Sequence, residues 1–299
     1  MKKIILLIGI LILTGCTRST PEPDSILVGL MPDVTSLPFI IAQERGFLPD
    51  NVSIEVFRSA ADRDAALHGG HLDVLVSDMI ALLLNNQGGF NLYAISETFG
   101  AYGLVAHPDS GITSVADLRG RQIGLSINTI IEFSTDQFLA IYGINPEEVE
   151  KVSVPQIPQR FELLEAGHID AAAMPEPFPS AAVASGLVRL ADSYELGINP
   201  GVLLAWADTY YNKRQELIAL AEAFDKAIEY INSTPSNLLM PVAVEIMGLP
   251  DAALDFVVPE MTTFRKPQEL QFYRARDWML GNGLLEMEFT FEELVREIG

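Results

Sequence analysis

Residues 66–78 read ALHGGHLDVLVSD, and residues 163–178 read LLEAGHIDAAAMPEPF. Each carries a Gly-His-Leu/Ile-Asp tetrapeptide into a run of small or branched apolar residues. Ninety-seven positions separate Gly70 from Gly167. The same spacing, without a gap, pairs Gly46 with Gly143, Pro49 with Pro146, Val52 with Val149, Arg63 with Arg160 and Leu67 with Leu164. It also lays ILVGLM (26–31) over IGLSI (123–127). Isolated identities arise by chance, but a shared register with a shared order of elements points to two related half-proteins.

Each half reads as the same alternation. An apolar strand (26–31; 122–125) leads to a helix (37–45; 130–142), and Gly46 or Gly143 follows where a left-handed C-terminal cap belongs. A second strand (52–57; 152–154) leads to a helix that ends near Gly70 or Gly167. A third strand (72–76; 169–174) leads to a third helix (78–86; 177–185). Strand–helix alternation predicts a parallel sheet with right-handed crossovers in each half. After residue 206 the pattern is mostly helical, at 215–231, 237–247, 269–280 and 292–298. Crossings at 101–107 and 199–206 would join the two sheets. They divide the chain into a first lobe of residues 26–102 plus 205–299 and a second of residues 103–204.

The motifs VGLMPDVTSLPFIIAQERGFL (28–48), ALHGGHLDVLVSD (66–78), VADLRGRQIGLSINT (115–129) and LLEAGHIDAAAMPEPF (163–178) run in order along the chain. Together they resemble the type II periplasmic binding proteins, specifically the nitrate/sulfonate/taurine and thiamine-pyrimidine-precursor receptors of ABC importers. NPGVLLAWAD (199–208) resembles that family's return crossing. The resemblance implies an α/β fold of two lobes with a ligand cleft between them. It also implies a receptor without cofactor or catalytic activity, serving a permease and an ATPase subunit, and a tethered receptor is most simply a monomer.

Ligands of open parallel sheets sit beyond the carboxyl ends of the strands. Four loops fall there, at 31–36, 77–78, 126–129 and 174–177. The candidate ligand-binding residues are Asp33, Ser36, Ser77, Asp78, Asn128, Thr129 and Glu176. Plain helix capping is the commoner role for residues placed like Ser36, Ser77, Asp78 and Thr129, and a cap can still turn a second lone pair to a ligand. Helix starts alone would suit sulfonate, taurine or nitrate. These loops hold no Arg or Lys, however, whereas Asp33, Asp78, Glu132 and Glu176 lie in or beside them. Carboxylates repel an anion and accept hydrogen bonds from ring or amino N–H groups. The expected solute is therefore a pyrimidine-like or other nitrogen heterocycle, of thiamine-precursor or flavin type. Phe39, Phe99, Tyr102, Phe133 and Phe178 are candidates to stack on it. Arg58, Arg63 and Arg160 are the cations that would reach the cleft, although the matching of Arg63 with Arg160 suggests a structural job.

The chain has 299 residues and a net charge of −21. Such acidity speaks against nucleic-acid binding, which needs a basic face. The one cysteine, Cys16, ends LILTGC behind Lys2, Lys3 and an apolar run. That run falls short of the ~20 residues of a membrane-spanning helix. It fits a secretion leader of residues 1–15, and Leu-Thr-Gly-Cys resembles the lipobox of bacterial lipoproteins. Cys16 is then a lipidated (palmitate-bearing) first residue, and 16–25 a tether holding an extracytoplasmic receptor at the cell envelope. Two other classes remain, a pyrimidine-synthase-like enzyme and a tethered sensory module. No G-x-S-x-G elbow, phosphate loop or histidine spacing suited to a metal appears.

Overall fold

The computed structural model describes residues 25–298. The expected leader, Cys16 and the tether up to residue 24 lie outside the described residues. Two five-stranded sheets form, built in sequence order from matched parts. The first half contains β1 (Ile26–Leu30), α1 (Leu37–Glu44), β2 (Val52–Val56), α2 (Ala60–His68), β3 (Val74–Asp78), α3 (Met79–Gln87) and β4 (Leu92–Glu97). The chain then crosses as β5 (Tyr102–Ala106) into the second half. This half contains β6 (Gln122–Leu125), α4 (Ile130–Ile141), β7 (Glu150–Ser153), α5 (Ile157–Glu165), β8 (Ala171–Pro175), α6 (Phe178–Ala184) and β9 (Val188–Asp192). It returns as β10 (Gly201–Trp206) to the first sheet. The orders are β2-β1-β3-β10-β4 and β7-β6-β8-β5-β9. The crossing strands β5 and β10 each lie antiparallel between their neighbours, while β1–β2, β1–β3, β6–β7 and β6–β8 pair in parallel.

The central strands are apolar and buried on both faces, as parallel strands covered by helices must be. The half-repeat explains most of the architecture, with one correction. Gly29 stands opposite Leu75, and Gly124 opposite Ala172. The two glycines are therefore matched parts, yet they lie 95 positions apart, not 97. The stretch from Gly124 to the Gly143 cap is longer by two than that from Gly29 to Gly46, with α4 running 12 residues against 8 in α1, and a slip of two keeps every side chain on its own face. Both glycines are needed for close approach. A Cβ on Gly29 would sit 2.5 Å from Leu72 Cδ1, and one on Gly124 would sit 2.5 Å from Ile169 Cδ1. Leu72 and Ile169 are the third residues of the two tetrapeptides.

Other expectations shift at element ends. Strands β4 and β9 come in addition to the expected elements. The helix expected at 292–298 stops early, and Val295 instead bridges Ala94 in parallel. Gly46 and Gly143 do occupy the left-handed region, at φ 66° and 64°.

The C-terminal helices α7 (Ala207–Asn212), α8 (Arg214–Ser233), α9 (Ser236–Met247), α10 (Glu269–Gly281) and α11 (Phe291–Leu294) clothe the first sheet and reach the second half. Helix α8 packs on α1, where Phe39 meets Phe224 with ring centroids 5.2 Å apart. The turn at Asp251–Asp255 packs on α6. Trp278 of α10 donates from Nε1 to Asp136 Oδ2 of α4 at 3.0 Å, and its ring meets Phe133 edge-on. Asp136 is also held by Lys151 Nζ at 2.8 Å, which reaches Glu132 at 2.7 Å. Burial nevertheless pushes the Asp136 carboxyl up, against the pull of Lys151 and Trp278. The halves also join directly, through Val34 N–H to Glu176 O (2.8 Å) and Ile157 N–H to Arg58 O (3.2 Å).

Candidate functional site

Where β1, β3, β6 and β8 end, the loops of the two halves face one another across a chamber of about 50 Å³. Its walls come from both halves: Met31, Asp33, Thr35, Arg63, Ser77 and Asp78 on one side; Ser126, Thr129, Ile130, Ile131, Pro155 and Ile157 on the other. Tyr102, the first residue of a crossing strand, lies beside them. Such a volume holds about one or two waters.

Three expected residues are helix caps that also face the chamber. Asp33 Oδ1 accepts from Thr35 N–H at 2.9 Å, and Asp78 Oδ1 from Ala81 N–H at 2.9 Å. Thr129 Oγ1 accepts from Ile131 N–H at 3.2 Å and donates to Ser126 O at 2.8 Å. Each carboxylate keeps a second oxygen for other partners. Burial pushes both carboxyls from 3.8 up to about 6, with Arg63 and the cap hydrogen bonds opposing it. The Tyr102 hydroxyl is driven well above its ordinary value, first by burial and then by those two carboxylates. It therefore stays protonated. Ser77 lines the chamber with only 6 % of its surface exposed, and its hydroxyl has no hydrogen-bond partner among the described residues. A buried polar group without a partner is uncommon enough to need an explanation.

The other expected residues do not face the chamber. Ser36 is fully buried, and its hydroxyl accepts from Met31 N–H at 3.1 Å, shaping the loop. Asn128 is exposed, with φ 58°, and gives its N–H to Glu132 Oε2 at 2.6 Å. It lies in the β6–α4 connection just before the Thr129 cap. The Glu176 carboxylate is spent on Arg189 (2.7 Å) and on Ser180 N–H (3.1 Å). Of the candidate stacking rings only Tyr102 lines the chamber. Phe39 packs on Phe224, Phe99 on Tyr194, Phe133 on Trp278 and Phe178 on Phe161.

Arg63 and Ser126 belong to the site but were not among the expected ligand residues. Arg63 comes from α2, and the pairing with Arg160 was the clue to it. Arg63 Nη1 donates to Val76 O at 2.9 Å, and its Nε and Nη2 go to Asp64 Oδ1 at 2.9 and 2.8 Å. Three of the five guanidinium N–H groups are thus taken, and one on each of Nη1 and Nη2 is left. The structural job inferred from the repeat is therefore present, and Arg63 lines the chamber as well.

The sequence profile described as NMT1/THI5 like matches residues 33–238, the stretch that contains both sets of cleft loops. The chain belongs to this family. As an NMT1/THI5-like protein it is 24% identical over 269 residues to a protein of Brachyspira hyodysenteriae named for the periplasmic binding component of an ABC transporter, covering 79% of this chain and 77% of that one. Its fold is that of the alkanesulfonate-binding protein SsuA from Xanthomonas axonopodis pv. citri, solved with MOPS bound (TM-score 0.80, 18% identity, 93% of this chain and 100% of that one). The nitrate-binding protein NrtA from Synechocystis PCC 6803 is also similar (TM-score 0.73, 14% identity, 91% and 84%). A desulfurization enzyme, DszB, shares the architecture at TM-score 0.66 and 16% identity, over 92% and 96%. The NMT1/THI5-like chain thus has the two-lobed α/β architecture of the periplasmic binding proteins.

Proposed function

We propose that the protein is the extracytoplasmic solute-binding component of an ABC importer, without catalytic activity, and that its solute is a nitrogen heterocycle presenting N–H donors. Residues 26–102 plus 205–299 and residues 103–204 act as the two lobes that close on it. One observation carries the choice of solute: two buried carboxylates, Asp33 and Asp78, face the chamber, while its one lining cation, Arg63, already donates to Asp64 and Val76. An anion entering there would meet uncompensated negative charge, whereas an amino or ring N–H group would find acceptors. Contacts from both lobes make the closed state the better binder, so solute capture favours closure. The competing solutes are sulfonate, taurine and nitrate, which the amino ends of α3 and α4 would favour.

The test is calorimetric titration of 4-aminopyrimidine, ethanesulfonate and nitrate into the wild type and Asp78→Asn. Asparagine still caps a helix, so the fold is kept while one charged acceptor is lost. The expected result is binding of the aminopyrimidine, weakened about tenfold or more in the variant, since hydrogen bonds to charged groups contribute about 1.5–3 kcal/mol. Tighter binding of ethanesulfonate or nitrate, unchanged in Asp78→Asn, would reverse the choice of solute.

The same reading makes Cys16 the acyl-bearing anchor of a monomeric receptor, presented to permease and ATPase subunits. Growth with an alkynyl palmitate analogue is expected to label the wild type and leave Cys16→Ala unlabelled. Equal labelling of both would remove the anchor.

A further inference from the structure

We infer that the solute is dipolar, with a donating or cationic end held by Asp33 and Asp78 and an anionic or strongly accepting end held by Ser126. This deepens the reading of the chamber as the solute site and rests on it.

The two lobes build their walls from matched parts and then differ at one residue. Arg63 and Arg160 correspond, and Nη1 of each donates to the carbonyl thirteen residues on, Val76 O at 2.9 Å and Ala173 O at 2.7 Å. The residue after Arg63 is Asp64, which takes its Nε and Nη2. The residue after Arg160 is Phe161. Arg160 therefore sends Nε to Val154 O at 2.9 Å, and Nη2 to Ser126 Oγ and, at 3.3 Å, to Pro155 O. It is fully buried, and among the described residues no carboxylate pairs with it. Burial alone pulls its guanidinium down to about 9, so it remains charged at neutral pH.

The first wall runs the other way, with Asp33, Asp64 and Asp78 against the single charge of Arg63. One side of the chamber is thus net negative, and the other has a positive charge directly behind it. Ser126 links that charge to the chamber. It lines the wall, is 8 % exposed, and its oxygen accepts from Arg160. Accepting from a cation polarises the hydroxyl, strengthening it as a donor. Its proton has one described acceptor, Pro155 O, at a long 3.4 Å. A solute oxygen at this point would be the better partner. The amino end of α4 adds the same sign of potential. On the opposite side, the Ser77 hydroxyl, without a hydrogen-bond partner among the described residues, stands beside Asp78. A purely cationic solute leaves the Arg160 side unanswered, and a purely anionic one meets two carboxylates. A molecule carrying both ends satisfies each wall.

The test is calorimetry on the full chain in detergent with one-ended and two-ended molecules. The ring series is 4-aminopyrimidine, pyrimidine-5-carboxylate and 4-aminopyrimidine-5-carboxylate; the open-chain pair is ethanesulfonate and taurine. The two-ended molecule of at least one series is expected to bind at least about tenfold tighter than its one-ended relatives. Ser126→Ala should erase that advantage. The wild-type series decides the matter even if the variant folds poorly. Equal binding of 4-aminopyrimidine and its carboxylate would overturn the dipolar solute and leave the heterocycle reading standing. Taurine well above ethanesulfonate, with no ring molecule bound, would do the reverse. No binding by any of the five would overturn both.

Discussion

Arg63→Met is expected to destabilise the ligand-free protein by about 3–5 kcal/mol at pH 7.5, the range for removing one partner from a buried charged cluster. Arg63 is 2 % exposed, so its loss cannot be made good by water. Three consequences act together. Asp64 loses both guanidinium hydrogen bonds, and Val76 O loses the Nη1 donor. Asp33 and Asp78 lose the cation whose attraction holds their carboxyls down. Methionine fills much of the stem volume, so cavity formation contributes little. The charge component can be separated from the packing component, because the carboxylates can protonate. Denaturant unfolding at pH 7.5 and pH 5 should show the deficit shrinking at the lower pH. A deficit under about 1 kcal/mol, or one equal at both pH values, would show that Arg63 does not hold this cluster together.

Most of the fold is legible in the sequence because it repeats. The Gly-His-Leu/Ile-Asp tetrapeptides mark the same junction in both halves for a common physical reason. Leu72 and Ile169 press against Gly29 and Gly124, and the aspartates Asp73 and Asp170 accept the first-strand N–H groups of Leu27 and Gln122. The crossing strands β5 and β10 fall where expected, since an apolar run with no partner in its own half must go elsewhere. What the repeat conceals is its own interruption. An ungapped offset lays the first strands two residues out of step, and the longer helix α4 absorbs the difference. Asn128 takes a left-handed backbone (φ 58°) ahead of the Thr129 cap and is exposed there, which its place in a strand-to-helix loop does not announce. Glu176 misleads because its partner, Arg189, is thirteen residues away on β9, a strand with no counterpart among the expected elements. The stacking phenylalanines meet the commoner fate of buried rings, packing on other rings. Arg63 is signalled only through its match with Arg160, since nothing in a helical Asp-Arg-Asp stretch announces which wall it will face.

In the ligand-free protein, stability should rise as the pH is lowered from about 7.5 to about 5. Asp33 and Asp78 have carboxyls at about 6 in the folded chain against 3.8 when free. Between those values the native state binds more protons than the unfolded one, so stability falls as pH rises through the window. Each pH step of one between the free and folded values corresponds to about 1.4 kcal/mol. The two groups together therefore cost the neutral-pH protein several kcal/mol, which acidification to pH 5 partly recovers. Burial also raises Asp136 and Asp225, which add to the trend in the same direction. Carboxylates held low by hydrogen bonds, Asp117, Glu148 and Glu293, act oppositely, but only below the ordinary carboxylate range. Calorimetric melting of the wild type should show a higher Tm at pH 5. The Asp33→Asn/Asp78→Asn double variant isolates the share of the chamber and should show the difference much reduced. A wild type that loses stability toward pH 5 as the double variant does would place both carboxyls in the ordinary range. The affinity for a donating solute should run against this trend. It needs the carboxylates ionised, so it should fall several-fold from pH 7.5 to pH 5 while the empty protein grows more stable. That opposition separates a chamber built to receive N–H groups from one whose acids merely cap helices. Capping alone would change stability with pH and leave affinity where it was.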